Sequence, residues 1–157
     1  MLSFERWHAL VQLYADYAAA LDEGRWDAWP EFFTDDAIYK LQPRENFDRG
    51  LPLATMSFES KGMLKDRVVG ATDTLFHDPY YQRHVVGAPR VLAVNGAAID
   101  SEASYVVIRT KQNALPEVYS AGRYLDRVVD TPAGLRFAQR LVIFDTELIS
   151  NSIIYPI

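Results

Sequence analysis

Length, composition and charge describe an ordinary globular chain and exclude several classes of protein. The 157 residues are 49% hydrophobic and 24% charged, which predicts a single folded domain over 1–157 and not a disordered segment. Cysteine is absent, which excludes disulfides, thiol nucleophiles and any iron–sulfur cluster held by this chain. The formal net charge of −5 opposes a phosphate backbone, so nucleic acid is not an expected partner.

Targeting signals are not evident in the sequence. The first residues lack a basic stretch followed by an apolar core, and no apolar run approaches the roughly 18 residues of a membrane-spanning helix. We therefore expect a soluble cytoplasmic protein with no membrane partner.

The first half of the chain is predicted to be mainly helical. Apolar residues recur at three- and four-residue steps over 4–21, with Ser3 placed to cap this helix and Gly24 to end it. The further elements predicted in this half are a short helix over 26–33, a strand over 37–41, a loop over 42–50, a strand over 51–58 and a helix over 60–75.

From Tyr81 onward the sequence predicts an antiparallel meander. Stretches rich in Val, Ile, Tyr and Thr are separated by turn signals, among them Asn95-Gly96 and the segment 131–134. The predicted strands are 82–94, 98–112, 117–130 and 135–149. Helices followed by a sheet are the α+β pattern, in which the helices cover one face of a curved sheet.

Two of these strands are apolar on both faces, over 105–108 and 141–144. A half-covered strand alternates apolar and polar residues, so the second face needs its own cover. This pattern favours burial against a partner, and the alternative is a strongly curved sheet that folds over itself.

Histidine is the chain's only nitrogen donor of the kind that transition metals prefer, and its three positions are separate. His8 borders the apolar stripe of the first helix, His77 lies in a loop and His84 begins a long strand. A mononuclear iron site needs two histidines and a carboxylate facing one cavity. No short motif links these residues, so we expect no metal ligand, no cofactor-binding residue and no catalytic residue in this chain.

A second hypothesis for the site is an acid–base constellation. In a cone-shaped α+β fold, Tyr14, Asp36 and His84 could converge on a pocket. The competing interpretation is structural, because Tyr14 keeps the helical register of core residues and Asp36 stands between two elements, where Asp often forms turns.

Arginines are spread through the last three predicted strands. They are Arg109, Arg123, Arg127, Arg136 and Arg140. Arginine favours bidentate carboxylate partners, and Asp126 and Asp145 are candidates within the sheet. The sequence leaves solvent exposure and interface pairing equally open.

Several segments resemble the small (beta) subunits of aromatic-ring-hydroxylating oxygenases, and they follow the same order along nearly the whole chain. These segments are Trp29-Pro30-Glu31-Phe32-Phe33-Thr34-Asp35, Met63-Leu64-Lys65-Asp66-Arg67-Val68, Arg83-His84, Ala121-Gly122-Arg123-Tyr124-Leu125-Asp126, and Leu135-Arg136-Phe137 followed by Arg140 and Asp145. Their details are most similar to the branch that contains the small subunits of salicylate 5-hydroxylase and terephthalate dioxygenase.

The resemblance implies a cystatin-like, NTF2-like cone and a mainly structural role. It implies an (αβ)3 hexamer whose large subunit carries a Rieske [2Fe–2S] cluster and a mononuclear Fe(II). Ferredoxin and an NADH-using reductase would supply electrons, and salicylate would be converted to gentisate with O2. The same fold also hosts isomerases and dehydratases, so a free-standing enzyme using Tyr14, Asp36 and His84 stays open, as does a plain ligand-binding module.

The last six residues, 152–157, carry no side-chain charge. Exposed apolar ends are unusual in a soluble monomer, so this segment is expected to be buried. Contact with another subunit is at least as strong an expectation as burial in the chain's own cone.

Overall fold

A computed structural model describes residues 2–146, 148 and 153–157. The helical elements are α1 (Phe4–Asp22), a 3₁₀ segment (Trp26–Phe32), α2 (Arg44–Asp48), α3 (Lys61–Val69) and a π-helical turn (Gly70–Thr74). The strands are β1 (Phe33–Pro43), β2 (Met56–Phe58), β3 (Tyr80–Val86), β4 (Arg90–Asn95), β5 (Ala98–Lys111), β6 (Glu117–Thr131) and β7 (Gly134–Phe144). Over these residues, no helix is long and apolar enough to cross a membrane.

Helix α1 begins and ends where the sequence predicts. The Ser3 hydroxyl accepts a hydrogen bond from the Arg6 amide at 3.2 Å, and Gly24 follows the helix with a φ of +67°. Phe4 and Trp7 differ from the prediction, because they line a surface groove beside β4 and do not enter the core. The core face of α1 is formed by Leu10, Leu13, Tyr14, Tyr17, Ala18, Ala20 and Leu21.

One sheet in the order β2-β1-β7-β6-β5-β3 forms the wall of the cone, and β4 also pairs with β5. The antiparallel β5-β6-β7 meander confirms the prediction for the second half of the chain. The parallel pairing of β1 with β7 was not predicted. Side-chain periodicity shows which face of a strand is buried, but it does not show which strand lies beside it. The position of β1 in the sheet could therefore not be predicted from the sequence.

Several predicted boundaries are wrong, and the strand predicted over 51–58 covers only Met56–Phe58. The predicted strand over 82–94 is two strands, separated at 87–89 by Gly, Ala and a proline that cannot donate to a ladder. The predicted loop over 42–50 contains α2, and β7 ends at Phe144. The rest of the strand predicted to reach 149 falls partly outside the described residues.

The strands that are apolar on both faces receive part of their cover from this chain. In β5, Tyr105 and Val107 are buried inside the cone, whereas Val106 and Ile108 on the other face are half-buried. Ile143 of β7 is fully buried, and the short helix α2 lies against β1 and β7. A partner is therefore still expected to cover the part of the outer face that β5 forms, and this stays a prediction.

The end of the described chain enters the cone. The Ile157 side chain is fully buried, and its carbonyl oxygen accepts hydrogen bonds from the Tyr17 and Tyr39 hydroxyls, both at 3.0 Å. The Arg67 guanidinium donates to the carbonyls of Ile153 and Ile154 at 3.0 and 2.7 Å. Of the two locations that the sequence left open, these contacts place Ile157 in the chain's own core, whereas 153–155 lie half-buried against it.

Deleting 153–157 should lower the free energy of unfolding of the isolated chain. Removing buried Ile157 costs about 1.5–3 kcal/mol, and the Tyr39 hydroxyl, which donates to the Ile157 carbonyl and accepts from its amide, loses these partners at a further cost of about 1–3 kcal/mol. Urea unfolding followed by circular dichroism measures this loss. Leu148→Ser is the control, because Leu148 is 82% exposed and should leave the stability unchanged. Unchanged stability of the deletion variant would contradict burial of the segment in this core.

Candidate functional site: the interior of the cone

Tyr14 and Asp36, two members of the predicted acid–base constellation, do not meet. The Tyr14 hydroxyl is buried, lies 3.1 Å from Ser101 Oγ and donates a short hydrogen bond to the Asp126 carboxylate. Asp36 is exposed and accepts from the Thr34 hydroxyl at 3.0 Å. The carboxylate that serves Tyr14 therefore comes from β6, whereas Asp36 lies exposed near the start of β1.

His84 is paired with a different carboxylate, which belongs to the last residue of α1. Asp22 Oδ1 lies 2.6 Å from His84 Nδ1, and the two Asp22 oxygens each accept from the His84 backbone amide at 3.0 Å. Asp22 is eight residues, or about 12 Å along the helix axis, from Tyr14. The predicted convergence of Tyr14, Asp36 and His84 is therefore wrong.

The centre of the cone holds a fully buried ion pair. Arg140 Nε and Nη2 donate to the two oxygens of Asp126 at 3.0 and 2.7 Å, and neither side chain is exposed. The guanidinium carbon lies 3.9 to 4.9 Å from the centroids of four aromatic rings. These rings belong to Tyr14, Tyr17, Tyr124 and Phe137. We call this group the arginine box.

The electrostatics of the arginine box keep Arg140 charged. Burial alone would lower the pKa of Arg140, but the Asp126 carboxylate and its hydrogen bonds raise that pKa well above the ordinary value. Burial likewise raises the pKa of the Asp126 carboxyl, while Arg140 and the Tyr14 hydroxyl favour its ionised form. The box acts as a structural clamp, because its carboxylate and hydroxyl are bonded to each other.

The remaining arginines are not interchangeable. Arg109 is buried and donates to Glu117 at 2.9 Å, whereas Arg123 and Arg127 pair with carboxylates on the half-exposed outer face. The sequence correctly indicates Asp126 as the partner of an arginine. The pair lies in the interior of the chain, whereas the sequence left open only a solvent-exposed surface or a subunit interface. The other candidate, Asp145, lies 3.5 Å from Arg44 instead.

Grooves on the molecule lie outside the cone. One is bounded by α1, the 3₁₀ segment and the β6–β7 turn, and another by the start of β3 and the β5–β6 turn. Neither is lined by Tyr14, Asp36 or His84. Among the residues that the structure describes, no group of three or more His, Asp or Glu side chains could hold a metal ion. His8 is exposed, and His77 Nε2 lies 2.7 Å from the Tyr155 hydroxyl.

Comparison with known proteins places this chain among oxygenase subunits. Residues 4–141 match the model of the SnoaL-like domain. The chain is 37% identical over 151 residues to the anthranilate 1,2-dioxygenase small subunit of Burkholderia cepacia, covering 96% of this chain and 94% of that one. It is 26% identical over 143 residues to a beta subunit of the terminal oxygenase of terephthalate 1,2-dioxygenase from Comamonas, covering 91% and 93%. The chain belongs to the small subunits of aromatic-ring-hydroxylating dioxygenases.

Solved structures agree with this family and with its fold. A protein of Novosphingobium aromaticivorans, assigned as the beta subunit of such a dioxygenase, superimposes with a TM-score of 0.88 at 37% identity, covering 96% and 95% of the two chains. The benzoate 1,2-dioxygenase beta subunit of Burkholderia mallei, at 11% identity, shares the fold with a TM-score of 0.74 over 92% of each chain. The expected α+β, NTF2-like cone is confirmed.

Asp22 is the residue of this small subunit that sequence reasoning missed. The signal was present, because Asp22 stands four residues after the buried Ala18 and therefore on the core face of α1. A carboxylate at the end of an apolar stripe needs a buried donor, and His84 supplies two.

The arginine box should dominate the stability of the small subunit. Arg140→Met leaves the Asp126 carboxylate buried without its cation, which should cost about 3–5 kcal/mol of unfolding free energy. Arg140→Met combined with Asp126→Leu should recover much of that loss, because no buried charge remains. Arg127→Met is the control, since its pair with Asp100 is largely exposed and should contribute about 0–1 kcal/mol. Denaturant unfolding of Arg140→Met, Asp126→Leu, the double variant and Arg127→Met gives the comparison, and additive losses of the two single variants in the double variant would contradict the coupling.

Alkaline pH should unfold the small subunit through its buried phenols. Burial raises the pKa of Tyr17, Tyr39 and Tyr124, whereas the same side chains ionise near pH 10 when unfolded. The folded state then binds more protons than the unfolded state above pH 10, so stability is present below that pH and falls above it. The phenolate absorbance of the buried tyrosines should rise in the same transition in which the circular dichroism signal is lost. Full phenolate formation with an unchanged circular dichroism signal would contradict the burial.

Proposed function

We propose that this small subunit is a mainly structural component of an (αβ)3 oxygenase hexamer in the cytoplasm, and that the large subunit performs the chemistry. The observation that carries the proposal is the arginine box, which fills the interior of the cone with a fully buried ion pair packed against aromatic rings. The identity of 37% to a dioxygenase small subunit, over nearly the whole length of both chains, supports the assignment.

A protein partner is supported by exposed apolar side chains at one end of the sheet. Tyr81 is 81% exposed at the start of β3, and Leu115 is 88% exposed in the β5–β6 turn that lies beside it. Phe76 and Val118, close to them along the chain, are also well exposed. Large apolar side chains gathered on one surface are typical of interaction sites.

The metal centres implied by the family do not fit this chain. A Rieske cluster needs two cysteines and two histidines, and the chain has no cysteine. Its histidines are engaged separately, His84 with Asp22 and His77 with Tyr155, while His8 is exposed. We therefore assign the [2Fe–2S] cluster and the mononuclear iron to the large subunit, with ferredoxin and an NADH-dependent reductase as the electron donors.

The substrate we propose is an aromatic carboxylic acid. The named relatives are dioxygenases of anthranilate and terephthalate, which both carry a carboxylate on the ring. Hydroxylation of salicylate to gentisate is the specific activity that the sequence resemblance implies. The ring would be held by the large subunit, so the choice among these acids is not made by this chain.

Co-expression with the neighbouring large subunit tests the proposal. The two chains should co-purify as a hexamer, and the assembly, supplied with its electron donors, should oxidise salicylate, anthranilate or terephthalate in preference to benzene. Tyr14→Phe and Asp36→Asn should leave turnover per assembled hexamer unchanged, because neither side chain reaches a substrate. Tyr14→Phe should lower only stability, by about 1–3 kcal/mol, because it removes a buried hydrogen bond to Asp126.

Two outcomes would contradict the structural assignment. One is a large loss of turnover in an intact hexamer of either variant. The other is isomerase or dehydratase activity of the isolated small subunit that Asp36→Asn abolishes.

A further inference from the structure

The inner face of β3 presents buried polar atoms that have no partner in the protein. Gln82 is 4% exposed, and both its amide nitrogen and its amide oxygen are unpaired. His84 is 7% exposed, and its Nε2 is unpaired. Alternation along a strand puts the two side chains on the same face, with their Cβ atoms about 7 Å apart. Three polar atoms therefore converge on one short stretch of the interior.

The contact with Asp22 determines which nitrogen of the His84 ring carries a proton. A carboxylate only accepts hydrogen bonds, so the imidazole nitrogen 2.6 Å from Asp22 Oδ1 carries the proton. In the tautomer with its proton on Nδ1, the ring presents a lone pair on Nε2, away from Asp22. In that form His84 Nε2 is an acceptor, while the Gln82 amide provides a donor and an acceptor.

The charged groups near Gln82 and His84 already have ionic partners. Arg83 Nη1 lies 3.9 Å from Asp22, and its own side chain is largely exposed. Arg109 stands opposite Gln82 in the β3–β5 register, and its guanidinium donates to Glu117. With Asp22 bonded to His84, the atoms that remain open are neutral, and a neutral group suits them better than an ion.

We propose that the inner face of β3 binds hydroxyl oxygens between Gln82 and His84, with ordered water as the resident ligand. One hydroxyl donates to His84 Nε2 and accepts from the Gln82 amide nitrogen, and a second donates to the Gln82 amide oxygen. Two waters placed in this way pair all three open atoms, and because a buried water makes about three hydrogen bonds, each has capacity left to bond to the other. Asp22, His84, water and Gln82 then form one continuous hydrogen-bonded chain. The hydroxyl of a small alcohol or phenol has the same chemistry.

Nuclear magnetic resonance of the full chain, with nitrogen-15-labelled histidine, tests the proposal. We expect His84 to be neutral with its proton on Nδ1, and its ring protons to show cross-relaxation with long-lived water. Gln82→Leu should abolish that water contact. Gln112→Leu, in the exposed β5–β6 turn, should retain it. A His84 protonated on Nε2, no long-lived water in the native chain, or an unchanged contact in Gln82→Leu would each overturn the proposal.

Two further measurements keep the test decisive. If Gln82→Leu does not fold, a high-resolution crystal structure of the native chain decides, since an oxygen within hydrogen-bond distance of both side chains is expected. Direct bonding of the Gln82 amide to His84 Nε2 would overturn the proposal. A phenol titration distinguishes the sources of the hydroxyl. Shifts of the His84 signals that disappear in Gln82→Leu assign the site to small hydroxyl compounds as well, and the absence of such shifts assigns it to water alone.

Discussion

The guanidinium of Arg140 sets the main constraint on this fold, because it stays charged at the centre of the cone and cannot be left unpaired. Its carboxylate comes from β6, it stands on β7, and the hydroxyl that completes the arrangement comes from α1. Apolar packing alone would let a helix slide or rotate on a sheet at small cost. The bond from Tyr14 to Asp126 removes that freedom, so the position of α1 on the sheet is fixed by polar geometry inside an aromatic shell.

The same constraint explains how one fold can serve as a scaffold or as a pocket. A cone that binds a substrate must leave polar groups in its interior available. In this chain the central groups are bonded to each other, and Ile157 occupies the adjacent space with its carbonyl held by two tyrosines. Of the buried polar atoms that have no partner, the Tyr124 hydroxyl and Arg140 Nη1 lie within the arginine box, and the Gln82 amide and His84 Nε2 lie on β3. Residue types that suggest catalysis in sequence therefore act structurally here.

Local signals in the sequence predicted the elements that depend on local physics. Helical periodicity located α1, and the hydroxyls of Ser3 and Ser60 cap α1 and α3 near the predicted starts. The β5-β6-β7 meander followed from turn residues and β-branched stretches. Two features depend on contacts distant in sequence and were not predictable in this way: the parallel pairing of β1 with β7, and the choice of Asp22 as the carboxylate for His84.

The arginine box shows most clearly why sequence patterns alone do not predict the site. Counting back from the turn, where Thr131 pairs with Gly134, an unbroken ladder would place Asp126 opposite Gln139 and turn Arg140 to the outer face. The register shifts by one residue between Arg127 and Val128, so Asp126 stands opposite Arg140. Such a bulge also bends the strand and increases its twist, which helps the sheet to close into a cone. A single extra residue in β7 therefore contributes to the curvature of the sheet and brings together the buried ion pair at its centre.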